Sequence, residues 1–160
     1  MRRLNLLTLT LSFITAATPA LAKTCPLSQS VYRDANGKGF ELVFGKPVSG
    51  SPFFHVSAVI KRVQQGELYR FGVEQANGYG SIFLSDLKQK QAGQDRSFII
   101  NFFNSNFTSA SRSIGREVPA PKYAFINDLG SYDYYSRRAS LSERNPPLGD
   151  TMWVFNRCQK

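Results

Sequence analysis

The chain is short of most of what chemistry at an active site requires. It has one histidine, two cysteines and one tryptophan in 160 residues. One histidine and two cysteines do not make the four-ligand set of a zinc site. Calcium loops of the D-x-D-x-D-G type are absent. Gly37-Lys38-Gly39 and Gly78-Tyr79-Gly80 are each G-x-G, but neither carries the full nucleotide-binding fingerprint, and both read as turns. No metal and no cofactor is therefore expected. Nucleophilic catalysis needs a base beside the nucleophile. The only histidine, His55, has Ser57 two residues on, about 7 Å away in an extended strand. No G-x-S-x-G elbow accompanies them, and His55 reads as a strand residue on an outer or half-buried face. Acidic residues number 11 against 20 lysines and arginines. No pair of them is marked out as a glycosidase couple. A small secreted hydrolase using His55 or an acidic pair stays an alternative to a non-enzymatic domain.

Long apolar runs are also lacking, with one exception. The first 22 residues read MRRLNLLTLTLSFITAATPALA. Arg2 and Arg3, an apolar stretch and the small-residue pattern Ala20-Leu21-Ala22 form the three-part layout of a secretory signal peptide. The stretch is too short for a membrane anchor, which takes about 20 apolar residues. The expected organisation is a signal peptide over 1–22 and a single domain over 23–160, secreted or periplasmic. Cleavage would leave 138 residues and lower the formal charge from +9 to +7, since the leader holds two arginines and no acid. The basic residues are spread along the chain, which fits attraction to an anionic partner such as an envelope surface or an acidic glycan. Export makes nucleic acid an unexpected partner, and no transmembrane segment is expected in the mature chain. The two cysteines, Cys25 and Cys158, stand at the two ends of the mature chain. In an exported protein they are expected to form one disulfide. That bond would bring the termini together, as a closed or nearly closed sheet would.

What the chain does have is strand signal. Val31–Asp34 and Phe40–Phe44 flank Asn36-Gly37, a strong hairpin cue because both residues tolerate positive φ. Phe40, Leu42 and Phe44 fall on one face of the second run. Phe53–Val63, Glu67–Glu74, Tyr79–Ser85, Arg96–Phe103, Lys122–Ile126 and Thr151–Arg157 continue the pattern, separated by turns. Arg96–Phe103 is the most apolar. Asn104–Pro121 is long for a loop and is expected to hold a short helix or a flap. The whole reads as all-β: a small antiparallel barrel or strongly curled sandwich of about seven to nine strands, its termini tied by one disulfide.

Aromatic residues are plentiful at 13%. Phe40, Phe44, Phe54, Phe71, Phe83, Phe98, Phe102, Phe125 and Phe155 are expected to fill the core. The stretch GSYDYYSRR, residues 130–138, places three tyrosines and two arginines within seven positions. Extended, it would put Tyr132 and Tyr134 on a face with Arg138. Helical, it would align Tyr132, Tyr135 and Arg138. Either way a tyrosine lies beside an arginine, a pairing that can stack a sugar or hold an anion. Tyr132, Tyr134, Tyr135, Arg137 and Arg138 are thus the candidate ligand-binding residues, with Arg112 and Arg116 of the long loop as helpers. A small disulfide-closed exported barrel is similar in architecture to bacterial lysozyme inhibitors, although their characteristic motif is not found in this chain. Lipocalin-like carriers of apolar ligands are a second analogy; their early G-x-W is missing, because Trp153 lies near the end. The leading expectation is a non-enzymatic domain that binds an anionic envelope component or a protein.

Overall fold

The runs that alternate in the sequence fold as strands of one sheet, and the sheet closes on itself. The computed structural model describes residues 25–63, 65–88, 96–110, 114–115 and 117–160. The proposed leader, Arg112 and Arg116 lie outside these. The strands are β1 (Ser30–Asp34), β2 (Phe40–Gly45), β3 (Val56–Arg62), β4 (Gly66–Gln75), β5 (Ile82–Asp86), β6 (Ser97–Phe103), β7 (Tyr123–Ile126) and β8 (Met152–Cys158). Each pairs antiparallel with the next, and β8 pairs with β1, giving a closed barrel of eight strands. Closure leaves no edge strand exposed. Among the described residues no helix is long and apolar enough to cross a membrane.

Alternation decides what faces inward. In β2, Phe40, Leu42 and Phe44 are fully buried while their neighbours are partly exposed. β3 and β6 repeat the pattern, so the apolar run of β6 is buried on one face only, with Ile99 pointing out. Tyr32, Phe40, Phe44, Phe71, Phe98, Phe102 and Trp153 fill the interior. Several of their rings meet edge to face, as in the Tyr32–Phe44 and Phe71–Phe98 pairs. A barrel of eight strands has an interior that side chains can fill, and these residues form one buried apolar cluster inside it.

The expected phenylalanine core needs correction at three positions. Phe83 and Phe125 occupy outward positions of β5 and β7 and are half-buried, whereas Phe155, also half-buried, packs against the core beside Tyr32. Phe54 is outside the barrel altogether. The run from Phe53 is not strand until Val56, because the preceding residues fold back over the outer wall. There the ring of Phe54 covers Gly72. A Cβ on Gly72 would stand 2.5–2.6 Å from that ring. Gly72→Ala should therefore force the ring away and cost about 1–3 kcal/mol, the usual range for overpacking, read as a lower urea midpoint. The long 104–121 segment contains no helix among its described residues. It forms a tight turn in which the Asn104 and Thr108 backbones bond, and a bridge from Phe103 to Ser109.

The two ends of the barrel are closed differently. At one end lies the 3₁₀ turn Leu27–Gln29, whose Leu27 is buried and donates its N–H to Val118. Here Cys25 is bonded to Cys158 across 133 residues, with Cα atoms 5.7 Å apart, as the sequence implies. The other end is capped by the helix α1 (Leu129–Arg137) and the loop that follows it.

Candidate functional site at the helix-capped end

GSYDYYSRR is helical over most of its length. Asp128 takes a left-handed conformation, φ 60°, which turns the chain out of β7 and starts α1. Gly130 follows, and its N–H bonds Asp150 Oδ1 at 3.1 Å. A Cβ on Gly130 would lie 2.3 Å from the backbone of residues 149–150, so only glycine lets the loop pack this closely. Helical spacing then directs Leu129, Tyr132, Asp133 and Arg137 towards the barrel.

Asp133 is the centre of this contact and is wholly buried. Arg137 grips it with two bonds, Nε to Oδ1 at 2.6 Å and Nη2 to Oδ2 at 2.7 Å. The hydroxyl of Tyr69 donates to Oδ1 at 2.7 Å, and the N–H of Leu148 donates to Oδ2 at 2.7 Å. Burial alone would raise the carboxyl pKa. The bonds from Arg137, Leu148 and Tyr69 together outweigh it, and Asp133 is held below the ordinary aspartate value. The same carboxylate raises the Arg137 pKa, and burial with the Asp133 contact raises that of the Tyr69 phenol. Arg137 also reaches Asn145 Oδ1 at 2.7 Å and the carbonyl of Pro146 at 3.2 Å. One ion pair thus joins helix, following loop and barrel wall.

The candidate residues separate into two groups. Tyr132 packs on Tyr69 and Phe98, ring centroids 5.9 and 5.3 Å apart, with Arg96 4.7 Å above its ring. Tyr132 and Arg137 are therefore occupied in holding the helix. Tyr134 and Tyr135 face solvent, 49% and 68% exposed, with rings edge to face at 5.4 Å. Arg138 is exposed just beyond them. The sequence carries a sign of this division in the i, i+4 pair Asp133–Arg137, set on one helical face with Leu129 and Tyr132.

More positive charge gathers here. Lys38 Nζ donates to the Pro147 carbonyl at 2.9 Å, and Arg62 donates to the carbonyls of Lys38 and Arg144 at 3.0 and 2.6 Å. These partners are neutral. Among the described residues Lys38, Arg62, Arg138 and Arg144 form no ion pair with a carboxylate. Asp150 is engaged with Gly130, and Glu143 is the other acid of the loop.

His55 is exposed just ahead of β3, with its backbone N–H bonded to Val73. Glu41 pairs with Lys61 and Arg157, and Glu67 with Arg70 and Lys88. Asp34 accepts the N–H groups of Lys38, Gly39 and Phe40 and shapes the first hairpin. These acids are committed to structure. No group of three or more potential metal ligands occurs among the described residues.

The class that fold and site define is a disulfide-closed, eight-stranded antiparallel barrel with one end capped by a tyrosine-bearing helix. Comparison with protein-family models, curated proteins and solved structures finds no match for this chain.

Proposed function

We propose that the protein is an exported, non-enzymatic binding domain that takes an anionic envelope glycan at its helix-capped end. The observation that carries this reading is the exposed Tyr134–Tyr135 pair beside Arg138, on a helix clamped to the barrel by Asp133. Exposed tyrosines offer large, rigid contact area at little entropic cost, and clamping the helix lowers the ordering cost of binding further. Sugar rings stack on such faces, while guanidinium groups take carboxylates or phosphates in fork geometry. Arg62, Arg144 and Lys38 extend the positive field beyond the helix.

The mature, oxidised protein should be retained on immobilised polygalacturonate and released by salt, as screening of exposed charges requires. It should not be retained on neutral dextran. Tyr134→Ala with Arg138→Ala should abolish retention while leaving stability within about 0.5 kcal/mol per site, the usual effect of surface changes. Retention that survives the double variant would refute the reading. Capture of an envelope protein that the same variant abolishes would replace the glycan by a protein partner.

A further inference from the structure

A second feature lies on the outer side wall of the barrel. Strand registers align Gly45, Ser57, Gly72, Ser85 and Ser97 in one row across β2 to β6. These positions face outward, and their small side chains leave a trough. Phe54 fills the trough over Gly72. Beyond it the trough opens into a cleft of about 530 Å³, within the range of small-molecule sites.

The cleft has one apolar wall and one polar one. Phe53, 70% exposed, and Phe54 form the first. Glu74 and Ser85 lie at the floor, joined by a 2.9 Å bond from the serine hydroxyl to Oε1. Asp86, Arg96 and Ser97 form the far side. Neither Glu74 nor Asp86 is ion-paired among the described residues. The lining is held in place from behind: Phe54 by its seat on Gly72, Arg96 by the Tyr132 ring, and Asp86 by its N–H bond to the Arg96 carbonyl at 2.9 Å.

We infer that this cleft binds a neutral saccharide. A sugar ring has an apolar face that stacks on an aromatic side chain, and hydroxyls that both donate and accept. The cleft supplies an exposed phenyl ring, carboxylate acceptors, one arginine and serine hydroxyls that donate or accept. Both signs of charge line it, which suits a polyhydroxylated ligand better than an ion of one sign. A peptide adding as a strand is disfavoured, since the closed barrel presents no free edge here. This inference does not depend on the anion-binding surface at the other site.

The test is an amide-shift titration of the oxidised protein, read by NMR, with maltose, cellobiose and diacetylchitobiose as probes. At least one should shift the amides of Ser49, Glu74, Ser85 and Ser97 saturably at millimolar concentration. Phe53→Ala and Glu74→Gln should each weaken that binding about tenfold, a typical effect of losing a central contact, with the remaining spectrum unchanged. Tyr134→Ala with Arg138→Ala should leave it intact, which separates this site from the glycan surface of α1. The proposal fails if none of the sugars moves these amides. It also fails if spermidine moves them and the sugars do not, or if both cleft variants bind like the wild type.

Discussion

Replacing Asp133 by alanine is expected to lower the stability of this barrel by about 3–5 kcal/mol, the cost of removing one partner of a buried ion pair. Asp133 is wholly buried, and its removal strands three donors at once: the Arg137 guanidinium, the Tyr69 hydroxyl and the Leu148 N–H. The loss should appear as a lower urea midpoint, together with a weakened tyrosine signal in near-ultraviolet circular dichroism as α1 lifts from Tyr69 and Phe98. Asp133→Asn keeps the shape and one acceptor, so it should lose less. A loss below about 1 kcal/mol for the alanine variant, the level of an ordinary hydrogen bond, would show that the clamp does not hold the helix.

The same residue sets an acid dependence. Its folded pKa is depressed below the unfolded aspartate value of about 3.9. A depressed carboxylate contributes stability that is fully present above the unfolded pKa and is lost as pH falls through the folded one. The stability advantage of the wild type over Asp133→Asn should therefore be constant near neutrality and shrink in acid below about pH 4. A difference that stays flat into strong acid would contradict the assigned ionisation.

Opening the Cys25–Cys158 bond is the second large effect. The bond closes a loop with a sequence separation of 133 residues. Loss of a native disulfide from a small secreted domain costs about 2–5 kcal/mol, and the chain-entropy account gives about 4.7 kcal/mol for a loop of 100 residues. Reduction, or Cys25→Ser with Cys158→Ser, should lower the urea midpoint accordingly. The damage should begin at the β1–β8 seam, because Cys158 is paired with Ser30 at the end of that ladder. Amide exchange at Val31 and Tyr32 should rise more than at Ala58 and Ile60 in β3, which lies on the far side of β2 from the seam. Uniform acceleration throughout the barrel would mean that the bond acts only on the unfolded chain.

The strands are legible in the sequence because each has a period of two and carries large side chains on the inward face. Phe40, Leu42 and Phe44 needed no more than that. The helix is less legible, because a nine-residue segment with three tyrosines fits an extended face almost as well as a helical one. The fold of 53–55 was hidden for another reason. Phe53, Phe54 and His55 continue the alternation of β3, but Phe54 finds its apolar surface on Gly72, a strand away, and that contact is absent from local pattern.

Alternation, turn residues and two terminal cysteines were by themselves sufficient to determine an all-β domain closed by one disulfide. These are local or purely topological properties. The division of GSYDYYSRR was decided only by tertiary structure. The barrel end offers the Tyr69 hydroxyl and the Leu148 N–H to a single buried carboxylate, which turns Tyr132 and Arg137 inward with Asp133. Tyr134, Tyr135 and Arg138 are left outside, because a helix pinned at one face must present the other to solvent.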